Sequence, residues 1–381
     1  MVKKLNNPFV VYGYRGKEYF CDRDTETEKI IKGLNNERNI TLIAPRRIGK
    51  TGLIHHVFSQ IRQQQPEVCC IYFDILATKT IEQFVQLMAR NVLGRLDSPT
   101  QNALHKVQDF FSAFRPTMTF DAATGMPTFS LDIAKNQEEL SLQRIFEYLA
   151  QSGRRCYIAI DEFQQIIKYP DTDTEALLRS FIQFVPNVYF IFAGSQQHMM
   201  SNMFLSPERP LYQGAQIVTI KEIDESVYYA FANSHFSKRE KPLQEPVFRY
   251  IYDKVDGQTW YVQAILNRIY SNMHDDITEQ DVDVAIQELI DEEEVAFENY
   301  YAGLTTNQAA LLSAIACEHQ VKSPMAQAFI AKYRLPALSS VKMAIESLSD
   351  SQFVYQYKGN YIVYDRFFAM WLRERVSPYP I

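Results

Sequence analysis

The residues best placed to do chemistry lie in two short stretches. The first is Ala44-Pro45-Arg46-Arg47-Ile48-Gly49-Lys50-Thr51-Gly52, between an apolar run and a segment of helical spacing. A loop that holds a phosphate needs backbone N–H groups curled around it, an amine that reaches the β and γ oxygens, and a hydroxyl for Mg²⁺. Gly49 lets the backbone come close, Lys50 supplies the amine and Thr51 the hydroxyl. The helix that follows adds the positive end of its dipole. Ala44 stands where a glycine is expected. That position is a bend leaving the strand, and alanine serves there if its φ is negative.

The second stretch, "CYIAIDEFQQI", is an apolar strand that ends in two acids, Asp161 and Glu162. A nucleoside triphosphatase needs one carboxylate near Mg²⁺ and another to orient or deprotonate water. Asp161 fits the first role beside Thr51, and Glu162 the second; the bland alternative is an acidic pair that closes a strand at the surface. A third apolar run ends "FIFAGSQQHMM". Ser195, or else Gln196, is placed to meet a γ-phosphate or the attacking water, and Ser195 is equally suited to cap the next helix.

The elements that must position these groups follow from periodicity. "TETEKIIKGLNN" reads as a helix with Thr25 and Glu28 as its capping box. "NITLIAP", "VCCIYFDIL", "RRCYIAIDEF", "NVYFIFAGS" and "QIVTIKEI" read as strands alternating with helical segments. Runs apolar on both faces imply a parallel sheet covered by helices on both sides, so the expected class is α/β, doubly wound. Residues 97–135 are polar and mixed and read as an insertion or irregular excursion. After about Glu222 only helical patterns appear, until "FVYQYKGNYIVYD" turns about Lys358-Gly359-Asn360 as a hairpin. Three short helices before that hairpin predict a winged helix-turn-helix. The expected divisions are 1–221 with an N-terminal box at 1–26, a helical lid at 222–302, and the winged region at 303–381.

A chain of 381 residues has room for two or three domains. The net charge of −6 excludes a surface that is basic throughout, though not a local basic patch. Cys21, Cys69, Cys70, Cys156 and Cys317 form no CxxC pair and have no histidine cluster, which predicts reduced structural thiols. The opening "MVKKLNNPFVVYGY" does not read as a signal peptide, and no run approaches the roughly 18 apolar residues of a membrane span. The expected location is cytoplasmic, away from membranes.

Taken together, "APRRIGKT", "YIAIDEFQQI", "FAGSQQHMM" and "RPLYQGAQIVTIKEI" resemble the archaeal-type ATPase family, P-loop proteins of the AAA+/STAND group. "NPFVVYGYRGKEYFCDRDTET" resembles that family's entry box with its Arg-x-x-Glu, here Arg23 and Glu26. "DGQTWYVQAILNRIY" resembles its helical lid, and "YIVYDRFFAMWLRER" the close of its winged helix. The resemblance implies ATP or ADP with Mg²⁺, hydrolysis at Asp161 and Glu162, and Phe9, Val10 and Tyr14 beside adenine. It makes Arg46 and Arg47 a family trait of the loop. It also offers Arg209 as an arginine presented to a neighbouring subunit, with a solvated loop arginine as the alternative. Some relatives carry an arginine after the "LY" segment, where this chain has Gln213-Gly214.

For the winged region two readings stand. Lys332, Arg334, Lys342 and Lys358 favour DNA, whereas Glu346 and Asp350 on the same candidate recognition helix favour protein docking, self-association or packing on the ATPase core. The leading expectation is an ATPase whose nucleotide state moves the lid and winged helix. The alternatives are a switch or scaffold with negligible turnover, and a DNA-binding protein with a vestigial nucleotide site.

Overall fold

Alternating apolar strands and amphipathic helices build the first half of the chain, and helices alone build most of the second. The structure, a computed structural model, describes residues 5–96, 114–120, 127–133, 137–170, 173–272, 276–357 and 359–375. Two compact units divide the chain: Tyr12–Asp224, and Glu225–Ile381 together with Met1–Val11.

In the Tyr12–Asp224 unit the strands are β1 (Ile40–Ile43), β2 (Cys69–Asp74), β3 (Phe114–Phe120), β4 (Pro127–Ile133), β5 (Cys156–Asp161), β6 (Val188–Gly194) and β7 (Gln216–Thr219). Five of them form one parallel sheet in the order β2-β5-β6-β1-β7. Side-chain alternation divides β5 between two cores. Cys156, Ile158 and Ile160 pack on one face with helices Ile81–Leu96, Glu138–Gln151, Thr174–Ile182 and Gln197–Leu205. Tyr157 and Ala159 pack on the other with helices Asp24–Asn35 and Lys50–Gln64. Every residue of β5 is buried, as expected for a strand covered on both sides.

Two local expectations need correction. The first helix begins at Asp24 with Arg23 as its N-cap, and no side-chain capping bond forms, so Thr25 and Glu28 are not a capping box. Asp22 and Arg23 take left-handed φ values of 56° and 74°, which starts the helix one residue early. Within 97–135, β3 and β4 form a regular antiparallel pair in register from Phe114↔Ile133 to Phe120↔Pro127. Their β-branched and aromatic residues account for this.

In the other unit, helices Glu225–Ser237, Glu245–Lys254, Thr259–Ser271, Glu279–Glu292 and Glu294–Ala302 lead into Thr306–Glu318, Gln327–Lys332 and Leu338–Asp350. Strands β8 (Val354–Tyr357) and β9 (Asn360–Val363) then pair antiparallel, and helix Arg366–Arg375 follows. Three helices and a hairpin make the winged-helix arrangement; Lys358 of the turn lies outside the described residues. Two helices here carry true capping boxes, Thr278 with Asp281 and Thr305 with Gln308. The stripe Phe367, Phe368, Met370, Trp371 and Leu372 is buried as core.

Phe9 belongs to this second unit. It is fully buried among Phe231, His235, Phe236 and Tyr270, and its carbonyl accepts from Asn267 Nδ2 at 2.6 Å. Among the described residues all five cysteines are free, and no helix is long and apolar enough to cross a membrane.

Candidate active site

The carboxyl ends of β1, β5 and β6 bring the two chemical stretches together. β1 ends at Ile43, and residues 44–49 turn into the helix that starts at Lys50. Gly49 makes the final bend at φ 94°, in the left-handed region that a Cβ resists. Ala44 is buried and has no positive φ, so alanine meets the condition set for it at the rim. The first intrahelical donor is Leu53 N to Gly49 O, so the N–H groups of Lys50, Thr51 and Gly52 have no helical carbonyl to bond. Such a helix start accepts an anion.

Lys50 and Thr51 meet the acids of β5 directly. Lys50 Nζ lies 3.1 Å from Asp161 Oδ1 and 3.2 Å from Glu162 Oε1. Thr51 Oγ1 donates to Asp161 Oδ2 at 2.7 Å. Tyr72 of β2, from the strand paired with β5, donates its hydroxyl to the same Oδ2 at 3.1 Å. All three charged groups are buried, with Lys50 6%, Asp161 2% and Glu162 9% exposed, so the alternative of a solvated acidic strand end is overturned.

Glu162 is the most tightly prepared of them. Its backbone sits at φ 55°, the left-handed region, and its N–H donates to Asp161 Oδ1 at 3.0 Å. Oε2 accepts from Ser195 Oγ and from Gln164 Nε2, each at 2.6 Å, while among the described residues Oε1 accepts from Lys50 alone. Burial raises the carboxyl's pKa, but the Lys50 charge and the bonds from Ser195 and Gln164 together outweigh it, so the net shift is downward. Ser195 therefore orients Glu162 and does not cap a helix; the helix Gln197–Leu205 has Gln196 as N-cap with no side-chain bond. Arg46 Nε donates to Ser195 Oγ at 3.3 Å, which extends the network to the loop. Beside it, Gly194 must lack a Cβ, which would fall on the Gln164 amide and within 2.5 Å of Met200.

Three participants escaped the sequence reading: Tyr72, Gln164 and Asp74. Asp74 pairs in register with Asp161, and burial, with Asp161 and Glu162 adding to it, raises its pKa against the Leu76 N–H bond. The "DEFQQ" run could have flagged Gln164; nothing in sequence flags Tyr72 before the strand order is known. Arg23 is buried and donates to Lys221 O at 2.6 Å and Ile48 O at 3.2 Å, and it pairs with Glu26. It thus fastens the back of the loop.

The remaining expected residues have partners of their own. Phe9 is enclosed by aromatic rings of its own unit, and Val10 lies in the same segment of that unit. Tyr14 bonds His56 Nδ1 at 2.9 Å and packs edge-on against Phe20. Arg209 is ion-paired with Glu175 of its own unit. Glu175 is 8% exposed, so Arg209→Ala should leave a buried carboxylate unpaired. The expected loss is about 1–3 kcal/mol, reduced because the arginine is partly solvated. Thermal unfolding checks this: Arg209→Ala should melt lower and Arg209→Ala with Glu175→Gln should recover, whereas an unchanged midpoint would deny the pair a structural role.

The donor set suits Mg²⁺ with a triphosphate. Thr51 and Asp161 present hard oxygens side by side, and Lys50 stands next to them. Among the described residues no group of three or more His, Cys, Asp or Glu side chains could hold a metal alone. Mg²⁺ is usually held in this way, by one or two carboxylates plus substrate phosphates.

Comparisons agree with this geometry. A family described as an ATPase domain predominantly from Archaea matches residues 20–265, and a probable winged helix domain matches residues 295–374. The Walker-type ATPase PABY2304 of Pyrococcus abyssi superposes with a TM-score of 0.67 at 18% identity, covering 96% of this chain and 99% of that one. The ORC2 protein of Aeropyrum pernix, in ADPNP–ADP complexes, gives 0.60 at 14% identity, covering 96% and 95%. The ORC1 protein of Aeropyrum pernix, in complex with DNA, gives 0.54 at 13%, covering 97% of each chain. At these identities the likeness shows the fold. No curated protein matches the chain in sequence.

Proposed function

Because the chain belongs to the family of ATPase domains found predominantly in Archaea, we propose that Lys50, Thr51, Asp161 and Glu162 form its working ATP-hydrolysis site. The observation that carries this reading is the convergence of Lys50 Nζ on both acids of β5 while Thr51 bonds one of them. In this reading the N–H groups at the start of helix Lys50–Gln64 and the Lys50 amine hold the phosphates. Thr51 and Asp161 hold Mg²⁺, which neutralises charge on the phosphoryl oxygens. When Lys50 turns toward phosphate, Glu162 loses the Lys50 donor at Oε1 and keeps both at Oε2. The freed oxygen is then available to orient and deprotonate water, with Ser195 and Gln164 fixing its direction.

Nucleotide state, in the same reading, moves the helical and winged-helix regions, with divisions near residues 222 and 303. The exposed face of helix Leu338–Asp350 carries Lys342 and Met343 against Glu346 and Asp350. Lys332 is ion-paired with Glu318. That charge balance supports contact with protein, or self-association, over contact with a duplex. A phosphate-release assay with and without duplex DNA tests the whole reading. Steady turnover unaffected by DNA is expected. Tightly retained ADP without turnover would favour the switch, and salt-steep duplex binding without turnover would favour a vestigial site.

A further inference from the structure

A cleft of about 640 Å³ opens wholly within the Glu225–Ile381 unit, lined by helices Glu245–Lys254, Glu279–Glu292 and Arg366–Arg375 and by the end of helix Thr306–Glu318. Its volume lies in the range of small-molecule sites. Its cations are unequally satisfied. Lys254 pairs with Asp283 at 3.2 Å, and Arg366 with Asp256 at 3.0 Å. Arg366 is only 6% exposed; its other nitrogens bond Val363 O and Tyr355 OH, and its buried Nε has no partner among the described residues. Arg373, about two turns further along the same helix, has no carboxylate at ion-pair distance among the described residues. One of its nitrogens donates to Ala316 O at 3.1 Å and approaches His319 Nδ1 at 3.5 Å. Burial pushes the Arg373 guanidinium below its ordinary range, outweighing the opposing pull of Cys317 and Glu374, and the charge of Arg366 adds a smaller push in the same direction.

A partly buried guanidinium without a carboxylate, beside an imidazole, is a costly arrangement unless an anion enters. We propose that this cleft is a second ligand site, taking a phosphate monoester on a small hydroxylated body, such as a sugar or nucleoside monophosphate, with Arg373 and His319 as its phosphate grip. The planar fork of Arg373 recognises two oxygens of a phosphate at a time, and the His319 imidazole beside it can donate to a third. Ile286, Val363 and Met370 give the body an apolar wall, and Asp253 and Glu374 give acceptors for its hydroxyls.

Isothermal titration of the full chain tests the site with AMP, ribose 5-phosphate and inorganic phosphate as probes, and with ribose and succinate as controls. Lys50→Ala removes the phosphate loop's share of any binding. One AMP or ribose 5-phosphate is expected per chain in the parent and in Lys50→Ala alike, with neither control binding. Arg373→Gln should weaken this at least tenfold, and Arg373→Lys should recover part of it, both with the parent's circular dichroism. If Arg373→Gln does not fold, His319→Gln takes its place with the same expected direction. No heat from any phosphate probe at millimolar concentration, binding untouched by these substitutions, or succinate bound as tightly as phosphate would overturn the proposal.

Discussion

Glu162→Gln should retain ATP and release phosphate about 10²- to 10⁴-fold more slowly, the range expected when a positioned acid–base group is lost. The amide keeps the shape of the side chain but cannot take a proton from water. Ser195 Oγ and Gln164 Nε2 would still find an acceptor in the amide oxygen, so the local fold persists. Affinity for ATP should hold or rise, because one negative charge beside the phosphates is gone. Single-turnover hydrolysis and equilibrium nucleotide binding separate these effects. Parent-like turnover would remove Glu162 from the chemistry. The same substitution alters acid stability. The folded carboxyl lies below its ordinary 4.5, so it contributes stability that is present above that pH and lost as pH falls through the lower folded value. Urea midpoints below pH 5 should therefore fall less steeply in Glu162→Gln than in the parent.

Lys50→Ala should weaken ATP binding roughly a hundredfold, since a charge-assisted bond to phosphate contributes about 3 kcal/mol. It should also destabilise the nucleotide-free protein. Removing the amine leaves Asp161 and Glu162 buried side by side with no cation between them, and breaking such a buried pair costs about 3–5 kcal/mol. The two effects are separable. Lys50→Ala combined with Glu162→Gln removes one of the opposed charges, so it should regain stability while binding stays weak. Equilibrium dialysis and chemical unfolding on the four proteins of this cycle give both readouts. Unimpaired binding in Lys50→Ala would show that phosphate is held elsewhere.

The fold was legible wherever it depended on local pattern. Five apolar runs between helices are the parallel sheet, because burial on both faces leaves strands without polar positions. The loop and the Asp161–Glu162 pair were legible for the same reason: each is a contiguous motif. What could not be read depended on strand order and on a few φ angles. Tyr72 reaches Asp161 only because β2 is hydrogen-bonded to β5, although two helices and a β-pair separate them in the chain. Ser195 looked as suited to capping a helix as to bonding Glu162, and the left-handed φ of Glu162 decides it by turning the carboxylate onto the end of β6. Thr25 and Glu28 matched a capping pattern, but Asp22 and Arg23, both with positive φ, turn the chain so that the helix starts at Asp24. The packing of Phe9 could not be read because the segment before Tyr12 belongs to the unit that is completed more than two hundred residues later.

That last arrangement has a consequence for biosynthesis. A ribosome emits Phe9 long before Phe231, Phe236 and Tyr270, the rings that enclose it. Throughout elongation of the nucleotide-binding half, an uncovered aromatic segment must wait upstream of it, open to chaperones or to misassociation. The α-helical half can seal its interior only after Tyr270 has emerged, so vectorial folding of this unit finishes on a residue made before the nucleotide-binding half.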